Sequence, residues 1–260
     1  MRSFSSESAR AKLRMHDLPG AGAPLIFVHG LGCASSCDYP RVASDPALSG
    51  RRMVLVDLLG SGFSDRPPDF DYSIISHART IADLAVFLAT DSIDLYGHSM
   101  GGAVAIVAAG MLGKRVRHLI LSEPNLDPGG GFFSRKIADM SERDYVAFGH
   151  EELIKSSRLD GADVWAASLA ASASFAVHRG ASSLVLGSKP AWREQLFRLS
   201  LPRTVIFGEA SLPDPDVQSL PRNGVEISIL PQAGHSMAWE NPSGLAKVLR
   251  ELLDGPGQPE

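Results

Sequence analysis

Cysteine is scarce in this sequence: Cys33 and Cys37 are the only two among 260 residues. Two thiols separated by three residues make neither a disulfide framework nor a metal site by themselves, so we expect both to be free. The first residues, Met1 to Glu7, also lack the apolar run of a secretory signal peptide. Together these two absences predict a cytoplasmic protein.

Long apolar runs and an excess of positive charge are missing too. The longest apolar stretch, around Ala103 to Leu112, has about ten residues, whereas a helix needs roughly 20 to cross a bilayer. Lysine and arginine number 25 against 29 aspartates and glutamates, a net charge of -4. No basic field is therefore available for a phosphate backbone, and we expect neither a membrane span nor a nucleic-acid partner.

What the sequence does contain is a series of apolar runs that alternate with helical patterns. Hydrophobic residues make up 44% of the chain, enough for one full core. The runs Pro24–Val28 and Met53–Asp57 predict buried strands. Further strands are predicted at Ile93–Tyr96, Val116–Leu121, Thr204–Gly208 and Val225–Leu230. Helical spacing is found in Ile75–Thr90 and Ser243–Leu253. This alternation predicts the α/β class, a mostly parallel sheet flanked by helices on both faces.

The pattern changes between Pro128 and Leu201, where no further strand is predicted and the residues favour amphipathic helices. We predict a helical cap over residues 128–201, inserted into a core domain made of residues 1–127 and 202–260. The aromatic residues of this segment either line an apolar pocket or form the cap's own packing: Phe132, Phe133, Trp165, Phe175 and Trp192. The tail from Asp254 to Glu260 is predicted to be disordered because it has little to bury.

The pentapeptide Gly97-His98-Ser99-Met100-Gly101 stands between a predicted strand and an alanine-rich helical run. A serine at the apex of such a strand–turn–helix connection has a strained backbone and an exposed hydroxyl. Side chains at either glycine would collide with the neighbouring strand and helix. The motif also occurs by chance in sequences rich in glycine and serine, so its context matters. In this context Ser99 is the candidate nucleophile.

A serine hydroxyl needs a general base, and the base needs an acid partner. His235 follows the last predicted strand, which places its imidazole at the same sheet edge as Ser99. A loop histidine is also a common plain surface residue. His29 and His98 flank packed backbone, which favours structural or oxyanion-loop roles. The remaining candidates are expected at the surface or in the cap: His77, His118, His150 and His178.

Four motifs carry a resemblance to a known family. They are Phe27–Gly32, Asp57–Pro67, Gly97–Gly102 and Gly234–Pro242, and in order and approximate spacing they resemble the α/β-hydrolase fold superfamily over residues 24–253. The resemblance implies a nucleophile at Ser99, a base at His235 and an oxyanion hole formed by the backbone N–H groups of Leu31 and Met100. A donor in such a hole typically contributes about 2.7 to 4 kcal/mol.

The acid is where the sequence departs from the family pattern. Many members carry an aspartate three residues after the glycine that ends the penultimate strand, but Ser211 stands at that position. A subset places the acid directly after the strand that follows the nucleophile helix, where this chain has Glu123. We therefore predict Glu123 as the acid. Three alternatives remain open: Glu209, Asp214 and Asp216.

These residues predict a serine hydrolase that cleaves a carboxylic ester or related acyl compound, partly apolar, through an acyl-enzyme and without metal or organic cofactor. A serine nucleophile argues against haloalkane dehalogenases and epoxide hydrolases, which need a carboxylate there. It does not separate an esterase from a carbon–carbon bond hydrolase, thioesterase, amidase or perhydrolase. Two further alternatives are a non-catalytic receptor, suggested by the displaced acid, and an acyltransferase. The oligomeric state stays open.

Overall fold

The computed structural model describes residues 1–254, and an eight-stranded sheet runs through them. The strands are β1 Arg2–Ser6, β2 Ala11–Leu18, β3 Ala21–Val28, β4 Arg51–Asp57, β5 Ile93–His98, β6 Val116–Ser122, β7 Arg203–Gly208 and β8 Glu226–Leu230. Their order in the sheet is β1-β2-β4-β3-β5-β6-β7-β8. The β1–β2 and β2–β4 pairs are antiparallel, and the other pairs are parallel. The predicted class, a mostly parallel sheet, is confirmed.

Helices fill most of the connections between strands. The α-helices are α1 Ser35–Asp38, α2 Pro40–Ala43, α3 Ile74–Phe87, α4 Met100–Leu112, α5 Phe132–Ala138, α6 Glu142–Asp144, α7 His150–Leu159, α8 Asp163–Ala170, α9 Ser174–Leu186, α10 Trp192–Arg198, α11 Asp216–Ser219, α12 Met237–Glu240 and α13 Pro242–Asp254. Short 3-10 turns lie at Pro46–Leu48, Gly113–Arg115, Glu209–Ser211 and Pro221–Asn223, and one π-helical turn spans Tyr145–Gly149. None of the helices within residues 1–254 is both long and apolar enough to cross a membrane.

The sheet is covered on both faces because successive side chains of a strand point in opposite directions. In β3, Ile26 and Val28 belong to one core, which also contains the buried faces of α3 and α4. Leu25 and Phe27 belong to a second core with α2 and α13. Continuous apolar runs such as this one are what a strand buried on both faces requires.

The segment predicted as a cap contains helices α5 to α10, all placed between β6 and β7. Part of it has a hydrophobic cluster of its own, made of Ile137, Tyr145, Leu153, Leu169, Val177 and Ala181. Trp192 and Leu196 of α10 instead join the main core beside the sheet. We call residues 128–201 the helical segment. Its division from the core as a separate domain stays a prediction.

Two smaller expectations need correction. His77 does not lie at the surface or in the helical segment but in α3, where only 3% of it is exposed. Its ring packs 5.4 Å from that of Phe70 and 5.9 Å from that of Tyr72, between centroids. Helix α13 runs on to Asp254, so the predicted disordered tail does not begin there. Residues 255–260 of that tail lie outside the described residues.

Candidate active site

The turn after β5 places Ser99 at the start of α4. Ser99 has φ 52° and ψ -117°, a backbone conformation that residues other than glycine rarely adopt. A Cβ on Gly97 would lie 2.5 Å from the carbonyl oxygen of Gly101, and one on Gly101 would overlap the carbonyl oxygen of Val28. The two glycines are therefore required for strand, turn and helix to approach this closely, as the motif predicted.

The strained serine is held by the segment that follows β6. The Ser99 amide donates to the carbonyl oxygen of Ser122 at 3.0 Å, and the Ser99 carbonyl accepts from the amide of Asn125 at 3.2 Å. The Ser99 hydroxyl donates to Oδ1 of Asn125 at 3.5 Å, a long hydrogen bond. Sequence reasoning missed Asn125. No sequence signal marks this residue, because its contact with Ser99 depends on how the chain turns after β6.

Glu123 and His235 meet at the carboxyl edge of the sheet. Oε2 of Glu123 lies 2.8 Å from Nδ1 of His235, and Oε1 accepts from the Gly208 amide at 2.9 Å. The Glu123 side chain is 12% exposed and that of His235 is 55% exposed. Burial alone would raise the pKa of Glu123, but hydrogen bonds from His235, Ser211 and the Gly208 amide hold it below its ordinary value. Glu123 therefore stays ionised beside the imidazole.

The three alternative acids are occupied elsewhere. Glu209 accepts from the Gln232 amide at 3.1 Å, and Asp214 accepts from the Asp216 amide at 2.7 Å. Asp216 is paired with Arg193 at 2.7 Å. Ser211, which stands where many relatives carry the acid, hydrogen-bonds to Glu123 instead. The Glu123 carboxylate and Ser211, the residue at the usual position of the acid, are therefore neighbours.

His98 lies beneath the imidazole of His235, with the ring centroids 4.7 Å apart. Its Nδ1 lies 3.1 Å from the hydroxyl of Ser122, which is also 2.7 Å from the hydroxyl of Tyr96. Burial, with a smaller contribution from His235, lowers the pKa of His98 to about 3. A neutral His98 can pack against His235 without charge repulsion, so it supports the ring as a structural residue.

The two residues predicted to donate to an oxyanion both lie close to Ser99. A Cβ on Gly30 would be 3.4 Å from Cβ of Ser99, so the loop that carries Leu31 passes directly against the nucleophile. Met100 is the first residue of α4, where backbone N–H groups have no partner within the helix. A helix amino terminus also favours negative charge. The arrangement suits an anion close to the Ser99 hydroxyl.

The helical segment reaches this loop through aromatic side chains. The indole Nε1 of Trp165 donates to the carbonyl oxygen of Leu31 at 3.1 Å. Trp165 packs against Phe133 with centroids 4.6 Å apart, and Phe133 packs against Phe132 at 5.2 Å. Phe132 and Phe133 are exposed. Of the five aromatic residues considered from sequence, these three form a row that ends at the Leu31 loop.

The other two aromatic residues serve packing. Phe175 lies against the Tyr72 ring at 5.7 Å and under the Arg179 guanidinium at 5.3 Å. Trp192 is fully buried in the main core.

Among the hydrogen bonds of residues 1–254, the Ser99 hydroxyl makes none to His235. Catalytic hydrogen bonds commonly form only when substrate is bound. The same residues contain no group of three His, Cys, Asp or Glu side chains placed to bind a metal ion. A cofactor-free reaction stays a prediction.

A family model for the alpha/beta hydrolase fold matches residues 23–245. The chain belongs to the α/β-hydrolase fold family. A solved structure of an esterase from Thermogutta terrifontis aligns with this α/β-hydrolase at a TM-score of 0.79 over 97% of each chain. The two share 24% sequence identity, so this likeness shows the fold alone.

Two curated relatives of this α/β-hydrolase match over a shorter stretch. A 2-hydroxy-6-oxo-2,4-heptadienoate hydrolase from Pseudomonas putida is 36% identical over 41% of this chain and 39% of its own length. A 2-hydroxymuconate semialdehyde hydrolase from Pseudomonas sp. is 35% identical over 44% of this chain and 40% of its own length. The aligned part of the chain thus spans about two fifths of the length of these relatives. Family membership is therefore shown, and both the activity and the substrate of the chain are matters for proposal.

Proposed function

We propose that this chain is a serine hydrolase of carboxylic esters or related acyl compounds, with Ser99, His235 and Glu123 as the catalytic triad. The observation that carries the proposal is the 2.8 Å contact between Glu123 Oε2 and His235 Nδ1, at the sheet edge where Ser99 occupies its strained turn. It supplies the acid that the family's usual position lacks. It therefore weighs against a non-catalytic receptor, which the displaced acid had suggested.

The reaction proceeds through an acyl-enzyme. The Ser99 hydroxyl turns from Asn125 to Nε2 of His235, loses its proton to that nitrogen and attacks the substrate carbonyl. Glu123 accepts the Nδ1–H of His235 and stabilises the imidazolium that forms. The amides of Leu31 and Met100 donate to the oxyanion. The imidazolium then protonates the departing alcohol, and a water molecule activated by His235 releases the acid and restores Ser99.

The substrate side of the site is apolar in part. Phe132, Phe133 and Trp165 lead from solvent to the Leu31 loop. We assign residues 128–201 the role of a cap, with these rings as a wall for an apolar group next to the scissile carbonyl. Aromatic walls with few polar groups are typical of small-molecule sites.

Hydrolysis of p-nitrophenyl esters of increasing acyl length tests the proposal. The purified protein is compared with Ser99→Ala, and with Ser61→Ala as a matched control on the loop after β4. We expect turnover that disappears in Ser99→Ala and persists in Ser61→Ala. Turnover that survives in Ser99→Ala, or its absence from the wild type across the ester panel, would contradict the ester hydrolase assignment.

A second candidate is a carbon–carbon bond hydrolase on the same triad. The two Pseudomonas relatives, 36% and 35% identical over parts of the chain, favour it by their names. The distinguishing experiment offers the protein a vinylogous 1,5-diketone beside the esters and follows loss of its absorbance. Diketone cleavage with higher kcat/KM than any ester would move the assignment to this class.

A further inference from the structure

Two side chains of the helical segment, those of Trp165 and Leu169, lie against the loop that carries Leu31. Trp165 donates to the carbonyl oxygen of Leu31 at 3.1 Å. Both side chains also lie close to Gly32. A Cβ added to Gly32 would be 2.6 Å from Leu169 Cδ1 and 3.3 Å from Trp165 Nε1. The helical segment therefore contacts the loop at Leu31 and Gly32, next to Gly30, which lies against Ser99.

A glycine of the helical segment completes this contact. A Cβ on Gly180 of α9 would lie 3.3 Å from Leu31 Cδ1 and 3.4 Å from Met100 Sδ. Both proposed donor residues thus pack against the same glycine. Since Gly180 is buried, α9 packs directly against these two side chains.

The loop itself has little intrinsic rigidity. Leu31 lies between Gly30 and Gly32, and Gly32 adopts φ +67°, a region that glycine enters freely. The amide and the carbonyl group of Leu31 are attached to the same Cα. A hydrogen bond that fixes the direction of the carbonyl therefore fixes ψ of Leu31. Together with the packed side chain, this limits how far the Leu31 amide can rotate. A hydrogen bond from outside the loop therefore keeps the Leu31 amide oriented toward the oxyanion position.

The Trp165 indole is well placed to supply that bond. It packs against Phe133 in a tilted arrangement, with the ring centroids 4.6 Å apart and an interplanar angle of 48°. Helix α8, which carries it, is anchored by Leu169 in the helical segment's own hydrophobic cluster. The donor is therefore fixed before substrate arrives, which is the condition for electrostatic preorganisation.

We propose that Trp165 is a positioning residue that orders the oxyanion loop, so that the helical segment must be seated for catalysis. The catalytic half of this inference rests on the proposed function. It assigns Trp165 no contact with the reacting atoms. Loss of the indole N–H is expected to slow acyl transfer and to leave the binding of the apolar group nearly unchanged.

The test is Trp165→Phe, which keeps an aromatic ring beside Phe133 and removes the N–H. We expect kcat for the best p-nitrophenyl ester to fall roughly tenfold, less than the hundredfold or more that follows outright loss of an oxyanion donor. KM should change by less than about twofold, because the lost interaction acts in the transition state. The matched control is Trp239→Phe, since the Trp239 N–H has no partner among residues 1–254.

A second measurement separates this inference from the proposed function. Amide hydrogen exchange over residues 29–34 is compared between the wild type, Trp165→Phe and Trp239→Phe, without substrate. Faster exchange in Trp165→Phe alone, together with the lower kcat, is the expected result. Unchanged exchange overturns the inference whatever the activity, and faster exchange with unchanged kcat overturns its catalytic half. Absence of Ser99-dependent turnover in the wild type contradicts the proposed function and the catalytic half together, while the exchange still decides the ordering of the loop.

Discussion

The carboxylate of Glu123 is held from two directions by groups of different chain segments. Its backbone has φ 39°, and its amide donates to the carbonyl oxygen of Ile206 at 3.1 Å. One carboxylate oxygen accepts from the Gly208 amide and the other faces His235. A strained backbone persists only where its surroundings determine it fully, and such residues concentrate at functional sites. We therefore expect the activity to depend strongly on the Glu123 carboxylate.

Replacing Glu123 with glutamine removes the negative charge and keeps the size of the side chain. We expect kcat/KM for ester hydrolysis to fall on the order of a thousandfold, because the imidazolium loses its counter-ion and His235 loses its fixed tautomer. Glu209→Gln is the matched control and should retain near wild-type activity. Near wild-type kcat in Glu123→Gln, with a loss of orders of magnitude in Asp214→Asn, would assign the acid to the other loop.

Much of this site was predictable from residue order alone, because parallel strands bring the loops at their carboxyl ends to one edge. Ser99, Glu123 and His235 each follow directly after a predicted strand or the loop at its end. Asn125 was not predictable, since its contact with Ser99 depends on how the chain turns after Glu123. The hydrogen bond between Trp165 and Leu31 joins residues 134 positions apart and depends on how α8 packs.

At the scale of elements, the strands were the easier part. A strand buried on both faces needs an apolar run, and β3, β4, β6 and β7 each contain one, whereas Asp94 interrupts that of β5. Strands β1 and β2, at one end of the sheet, show only alternation. The helical segment was predicted as helical, but the sequence did not show that α10 belongs to the main core. An amphipathic pattern gives the buried face of a helix and not the surface that covers it.

Helix α4 offers a prediction with its own internal control. A Cβ on Gly101 would overlap the carbonyl oxygens of Val28 and His29, whereas nothing lies within 4 Å of one on Gly110. Gly101→Ala should therefore lower the free energy of unfolding by about 3 kcal/mol or more, because backbone must move. Gly110→Ala should raise it by about 0.5 to 1 kcal/mol, since alanine favours the helix and restricts the unfolded chain.

Urea denaturation of the wild type and the two variants measures both effects. Equal and small changes for the two substitutions would mean that α4 does not lie against the end of β3 as described. A loss of stability in Gly110→Ala would mean that the helix ends before that residue.

At the scale of the whole molecule, one buried carboxyl links the core to the helical segment. Asp38 is 4% exposed and lies beside the thiol of Cys33, while Ser168 of α8 donates to its Oδ1 at 3.4 Å. Burial raises the pKa of Asp38 from its ordinary value of 3.8 to about 7. The folded protein therefore keeps a proton on Asp38 across a pH range in which the unfolded chain has released it.

The sign of the resulting pH dependence follows from proton linkage. Because the folded-state pKa of Asp38 is the higher one, its contribution favours folding at low pH and is lost as pH rises from about 4 to about 7. His77 and His98 act in the opposite direction. Burial lowers the pKa of each to about 3, so they cost stability as pH falls below their ordinary value of 6.5. The stability of the wild type is therefore a sum of opposed contributions.

The substitution Asp38→Asn isolates the contribution of the carboxyl group to the pH dependence of stability, because asparagine has the same shape and cannot ionise. A change in pKa from 3.8 to about 7 corresponds to on the order of 4 kcal/mol. The stability of Asp38→Asn relative to the wild type should therefore increase by a few kcal/mol between pH 4.5 and pH 8, measured by urea denaturation at each pH. The histidine contributions cancel in this difference.

Asp91→Asn, at an exposed carboxylate, should give a flat difference. A flat difference for Asp38→Asn as well would mean that Asp38 is ionised in the folded protein, and the junction between α1 and α8 would then hold a buried charge.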